Sequence, residues 1–221
     1  MPPLITLTTD FGTRDPYVAS MKGVIHSRCE NAQIVDLTHE IGPQDIFEGA
    51  LFIAEATRWF PSGSVHCVVV DPGVGTARLP IAAQVRGHYF VCPDNGLLTF
   101  IAKESPPQEV RTITNQDFML DAISATFHGR DIFAPAAAHL ASGAPFQSVG
   151  ERLQTITMLD VPELRRDVED VIGGIIMHVD RFGNAITNIR RSDVPDGAAA
   201  SVHFSGTAVE QISETYGDVH A

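Results

Sequence analysis

Short apolar blocks alternate with turn residues through the first two thirds of the chain, and their spacing predicts the elements. Residues 4–9 read as a short buried strand that ends in Asp10-Phe11-Gly12-Thr13. Asp15-Pro16 then supplies a helix cap with proline at the first helical position, for a helix reaching about Ser27. Residues 34–37 read as a second strand. Residues 43–60 carry Ile46, Ala50, Ile53, Ala54 and Phe60 at roughly helical spacing. Residues 64–70 are rich in valine and almost continuously apolar, the pattern of a strand covered on both faces, and they end in Asp71-Pro72-Gly73-Val74-Gly75-Thr76.

After this strand–helix–strand–helix–strand series, residues 80–85 and 88–92 flank Arg86-Gly87 as a tight hairpin, and Asp94-Asn95-Gly96 marks a further turn. A hairpin within such a series predicts a mixed sheet. Residues 131–142 form an alanine-rich helix approached by Phe127-His128-Gly129-Arg130 and closed by Ser142-Gly143-Ala144-Pro145. The texture changes near residues 158–168. Residues 162–167 read as a polar linker, and residues 171–179, 185–189 and 198–204 read as strands with no long helix between them. The expected fold is α/β: a mixed, mostly parallel sheet flanked by helices over residues 1–160, and a small all-β domain over residues 168–221.

Composition narrows the function classes. With 221 residues, 44% of them apolar, the chain can bury a real core without a metal or disulfide framework. No apolar run approaches the roughly 18 residues that span a bilayer. Fifteen Lys and Arg against 27 Asp and Glu leave a net charge of −12, which repels nucleic-acid backbones and anionic lipid, so neither is an expected partner. Cys29, Cys67 and Cys92 are odd in number and lack CxxC spacing, and the start Met1-Pro2-Pro3-Leu4 lacks a basic-then-apolar leader. Three free thiols in the cytoplasm are the expectation.

In open α/β sheets ligands bind beyond the carboxyl ends of the strands, which makes Asp10, Asp71 and the Asp94-Asn95-Gly96 turn candidates to share one site. A strand-end carboxylate such as Asp10 can accept two hydrogen bonds from a vicinal diol, or simply cap its own loop; Asp15 reads as the helix cap. The segment 71–76 has two glycines but lacks the Gly-Lys-Ser/Thr ending of a phosphate-binding loop. The nine histidines show no His-x-His or His-Glu-x-x-His pair, so no metal is expected. His128, between Phe127 and Gly129 ahead of a helix, is the catalytic candidate among them.

Five ordered motifs carry a more specific signal: Thr9-Asp10-Phe11-Gly12, residues 71–76, Pro93-Asp94-Asn95-Gly96-Leu97-Leu98, Phe127-His128-Gly129-Arg130-Asp131, and residues 180–188. Together they resemble the S-adenosyl-L-methionine hydroxide adenosyltransferase family, the SAM hydrolases, which is similar to fluorinase and chlorinase. The resemblance implies attack of water at C5′ of S-adenosyl-L-methionine with methionine as leaving group, giving adenosine and L-methionine without a cofactor. It also implies an Asp-Arg-His set matched by Asp71, Arg78 and His128. Arg78 would pair with Asp71, while Asp71 and His128 would orient the water and take its proton.

By the same matching Asp10 would bind the ribose hydroxyls, and Phe127 would wall the ribose and C5′. Phe182 and Asn184 would contact adenine, Asp180 would meet the methionine ammonium, and Tyr17 matches a methionine-side position loosely. Gly129 stands where fluorinase has a serine that helps hold halide, and the short Arg86-Gly87 turn replaces a long fluorinase insertion; both point to water as nucleophile. Family members continue past the equivalent of residues 214–218, so the C-terminal domain is expected to be truncated at Ala221. The family further implies a homotrimer with active sites between subunits. Two other readings remain at this point: a non-catalytic adenosine or S-adenosyl-L-methionine binding protein, and a metal-dependent hydrolase built on Asp10, Asp71 and His128.

Overall fold

Residues 2–167, 171–194 and 201–209 are described by a computed structural model. The chain divides into two compact units, residues 1–160 and 161–221. The first unit is built on a six-stranded sheet of β1 (Leu4–Thr9), β2 (Gln33–Thr38), β3 (Val65–Val69), β4 (Pro80–Val85), β5 (His88–Pro93) and β6 (Glu109–Thr112), in the order β2-β1-β3-β5-β4-β6. Strands β2, β1, β3 and β5 are mutually parallel; β4 runs antiparallel to both β5 and β6.

The two-residue period of the strands sorts the core into two layers. Ile5, Leu7, Val65, Cys67 and Val69 point to one side, where they meet helices α1 (Tyr17–Arg28) and α4 (Ala134–Ala141). Val68, Val70, Ile81, Ala83 and Phe90 point to the other, beneath α2 (Ile46–Ala56) and α3 (Thr99–Glu104). With all five residues of β3 buried, its continuous apolar run is explained by helices on both faces. Within that core His66 shares hydrogen bonds with Thr6 at 2.8 Å and with His88 at 3.1 Å, and burial pushes its pKa down to about 3, so it is a neutral packing residue. Burial raises Cys67 to about 12 and Cys92 well above its usual value, which leaves both as inert packing thiols.

Several local expectations change. Asp15 does not cap α1: the helix starts at Tyr17, and Pro16 occupies the cap position with its carbonyl accepting from Ser20 N at 2.9 Å. The proline thus stands one place before the helix, and Asp15 is displaced from capping reach. Helix α2 is shorter than residues 43–60 because Asp45 caps it, accepting from Glu48 N at 2.8 Å, and a 3₁₀ turn over Thr57–Trp59 ends it. Strand β6 and helix α3 have only four and six residues, too short for a periodic signal. A π-helical turn, Gly129–Phe133, precedes α4 and replaces the first turn of the expected helix.

Among its described residues the second unit contains three short antiparallel pairs: β7 (Arg165–Arg166) with β8 (Ile172–Gly173), β9 (Ile176–Val179) with β10 (Ala185–Thr187), and β11 (Val202–Phe204) with β12 (Thr207–Val209). Part of the expected linker is therefore strand. The single strand expected over residues 171–179 is split by Gly173 and Gly174, where a side chain at Gly174 would come within 2.5 Å of Asn188 Oδ1. Residues 198–200 of the expected third strand, and the 214–218 segment, lie outside the described residues.

Candidate active site

The chain passes from β1 to β2 on one side of the sheet and from β2 to β3 on the other, so the strand order reverses between β1 and β3. Helices leaving in opposite directions open a crevice at such a point. Asp10 follows the end of β1 and Asp71 follows the end of β3, and both line a cleft of about 380 Å³ together with Phe11, Tyr17, His128 and Gly129. A larger hollow of about 510 Å³ beside Arg28, Asp117 and His139 lies at the far end of α1, mixes opposite charges and contains none of the motif residues.

Arg78 joins two of the cleft-lining side chains, Asp71 and His128. Its Nε lies 2.9 and 3.0 Å from the two carboxylate oxygens of Asp71, and its Nη2 donates to Asp71 Oδ2 and, at 2.7 Å, to His128 Nδ1. Both partners of the ion pair are nearly sealed from solvent, with side chains 9% and 5% exposed, so its charges are weakly screened. The guanidinium also stacks 5.2 Å from the centre of the Phe133 ring. Because a guanidinium only donates, His128 Nδ1 must present its lone pair to Arg78, which leaves the proton of the neutral ring on Nε2. Burial lowers the pKa of His128 and the charge of Arg78 pushes it the same way, outweighing Asp71 and Asp131. The imidazole is thus neutral near pH 7.

Two loops must meet for this contact, and glycine lets them. Gly75 has φ +76°, and a Cβ there would stand 2.6 Å from the carbonyl oxygen of Ala125. The loop carrying Asp71 and Arg78 therefore lies directly against the loop carrying His128. Gly129 plays a similar part against α1, where a Cβ would sit 3.3 Å from Met21 Sδ and 3.4 Å from the Phe11 ring. Phe11, Tyr17 and Phe127 form an edge-on aromatic cluster with ring centres 5.3 to 6.1 Å apart, so Phe127 packs beside the cleft with Arg130 4.8 Å above its ring.

Asp10 accepts from Gln44 N at 2.8 Å through Oδ2. Its loop is held from behind by His39, whose Nδ1 meets Thr9 Oγ1 at 2.9 Å and whose carbonyl accepts from Gly12 N at 2.7 Å. His39 Nε2 sits 3.1 Å from Asp36 Oδ1, off the hydrogen-bond direction. In the sequence His39 is one of nine histidines without metal-pair spacing; its position one residue past the end of β2, facing the end of β1, is the signal that marks it.

Asp180, Phe182 and Asn184 belong to the second unit and share one turn. The Asp180 carboxylate accepts from Phe182 N at 2.9 Å, Asn184 N at 2.8 Å and Asn184 Nδ2 at 2.7 Å; these bonds, the Asn184 side chain first, hold its pKa down. Phe182 is 90% exposed at the tip of that turn, an unusual position for a large apolar ring. Among the described residues no group of three His, Cys, Asp or Glu side chains is placed to hold a metal ion, and no helix is long and apolar enough to cross a membrane.

Comparison with known proteins converges on one family. The family models described as SAM hydroxide adenosyltransferase N-terminal domain and C-terminal domain match residues 5–150 and 174–221. An (R)-S-adenosyl-L-methionine hydrolase from Thermus thermophilus is 39% identical over 218 residues, covering 96% of this chain and 82% of that one. Another from Salinispora tropica is 41% identical, covering 82% and 70%. A fluorinase from an Actinoplanes species is 32% identical, covering 87% and 73%. Among solved structures, an uncharacterized conserved protein from Thermotoga maritima superposes with a TM-score of 0.91 at 37% identity, covering 98% of this chain and 85% of that one.

Proposed function

This chain belongs to the SAM hydroxide adenosyltransferase family and is an enzyme that hydrolyses S-adenosyl-L-methionine, and we propose that Asp71, Arg78 and His128 carry the reaction. The observation that carries this reading is the Arg78 bridge, which gathers a carboxylate and an imidazole onto one side of the switch-point cleft. A site that only bound a nucleoside would need none of the three.

The substrate supplies the activation. Methionine leaves the sulfonium as a neutral thioether, so the C5′–S bond breaks with its electron pair going to sulfur while the C5′–O bond forms from water. The attached water becomes strongly acidic only as the bond forms. A carboxylate is then base enough, and Asp71 takes the proton before passing it to solvent. His128 Nε2–H orients the water, and Arg78 holds both groups on the line of attack; most of the rate comes from this positioning. In the proposed substrate pose Asp10 binds the ribose hydroxyls and Phe127 walls the C5′ region. Asp180 meets the methionine ammonium and the exposed Phe182 with Asn184 takes the adenine, contributed by a neighbouring subunit of a homotrimer. Buried free thiols are compatible with a cytoplasmic enzyme.

Chromatography after incubation with S-adenosyl-L-methionine tests the activity, with adenosine and methionine as the expected products. We expect adenosine to remain the main product in high chloride or fluoride, because Asp71 repels an incoming halide and Gly129 offers no hydroxyl. A serine at that position would also have to displace Met21 and Phe11 by a few tenths of an ångström. A 5′-halogenated nucleoside as main product by mass spectrometry would overturn the assignment of water. Asp10→Ala is expected to weaken adenosine binding by about 1 to 3 kcal/mol, the loss of two charge-assisted hydrogen bonds, as read by calorimetry. Unchanged affinity would remove Asp10 from the ribose site.

A further inference from the structure

The mechanism leaves one buried ionisable group next to the site without a task. Asp131 stands at the middle of the π-helical turn, three residues after His128, and is 0% exposed. An ionised carboxylate in such a place is costly unless several donors surround it, and here they do. Oδ2 accepts from Ser124 N at 2.8 Å, Oδ1 from Arg130 Nε at 2.6 Å, and these bonds overcome the effect of burial to keep the carboxyl below its usual pKa. The Asp131 carbonyl accepts from Leu120 N at 2.8 Å, and its amide donates to Phe127 O at 3.1 Å. Ser124 Oγ in turn accepts from Phe127 N at 3.0 Å. The bonds to Ser124 and Phe127 close on the stretch of chain that delivers His128 to the cleft.

On the reading of His128 given above, we propose that Asp131 is a positioning residue for His128: its carboxylate ties down the turn from Ser124 to His128 and holds a fixed negative charge three residues after it, setting where the ring stands and how readily it holds a proton. The other charged groups around that ring are Arg78 on Nδ1, Asp71 beyond Arg78, Arg130 paired to Asp131, and Asp10 across the same cleft, with Tyr17 the remaining titratable side chain there. Burial and then Arg78 oppose the imidazolium; Asp71 and Asp131 favour it and are outweighed. The π-helical turn fits this role, since the extra residue swings the backbone so that Asp131 points back at Ser124 while Phe133 reaches Arg78.

The test is a nuclear magnetic resonance titration of the His128 ring, made without substrate, in the wild-type protein and in Asp131→Asn, combined with turnover measurements. Asn keeps the shape and one acceptor for Ser124 but removes the charge. We expect the His128 titration to move to lower pH and kcat to fall about 10-fold with KM changed less than about 3-fold. Ser124→Ala, which alters a partly exposed residue and keeps the charge, is expected to lower kcat about 3-fold. An unmoved titration together with turnover within 2-fold of wild type in folded Asp131→Asn would overturn the proposal. Should circular dichroism show Asp131→Asn unfolded, wild-type turnover in Ser124→Ala would overturn it instead. A moved titration in a protein that releases no adenosine even as wild type would count against the hydrolase reading and leave the positioning role standing.

Discussion

Asp71→Asn is expected to lower turnover of S-adenosyl-L-methionine about 10²- to 10⁴-fold while leaving nucleoside affinity nearly unchanged, and His128→Ala is expected to do the same. The separation follows from where the two side chains stand. Both are held by Arg78 on the wall of the cleft, whereas the expected ribose contact, Asp10, comes from a different strand end. Asn is almost the same shape as Asp but cannot take up the water's proton, and it donates where the carboxylate accepted. The measurement is single-turnover kinetics beside adenosine calorimetry. Near-wild-type turnover in either variant would end the role given to that residue; equal losses in binding and turnover would mean that the residue serves the ground state rather than the reaction.

Arg78→Gln is expected to lose both activity and stability, with turnover down at least about 10²-fold and unfolding free energy down by about 3 kcal/mol. The Asp71 side chain is only 5% exposed, so removing its partner leaves a carboxylate that water barely reaches. The same change deprives His128 Nδ1 of its donor and frees the imidazole to rotate or to change tautomer. Arg78→Lys should rescue little. An ammonium cannot reproduce two parallel bonds to a carboxylate and a third to an imidazole while lying flat near Phe133. Denaturant titration and turnover on the same preparations decide this. A fully stable Arg78→Gln protein would show that the Asp71–Arg78 pair carries no net stabilisation, and an active one would remove Arg78 from the reaction.

Much of this site was legible because apolar runs stop where chemistry starts. Strands β1 and β3 are sealed by helices, so they carry only apolar residues, threonines and the neutral His66, and Asp10 and Asp71 stand out as the first charged residues beyond their ends. His128 could be singled out for its position before a helix. Arg78 could not, except through the family resemblance, because a single arginine in a loop has no pattern until its partners fold around it. Asp131 was visible only as part of a motif; full burial of a carboxylate depends on donors from Ser124 and Arg130 that only the folded loop supplies. Strand β6 escaped because four residues hold two periods of alternation, and its pairing to β4 is a tertiary event. Asp15 does not cap α1 for a local reason: Pro16 occupies the cap position one residue later.

The reversal of β4 also sets the order in which Asp71, Arg78 and His128 can come together during folding. Pro80, its first residue, pairs with Pro93, the last of β5, so the chain enters β4 at the same edge from which it leaves β3. That lets Arg78 close on Asp71 across a separation of only 7 residues, whereas its contact with His128 spans 50. Loop-closure entropy makes the longer contact costlier by about 2 kcal/mol. The carboxylate–guanidinium half is therefore a local structure that the hairpin can organise early. The imidazole half arrives with the docking of α4, and on the proposed roles anything that delays or loosens that docking is expected to silence the enzyme while most of the sheet is still intact.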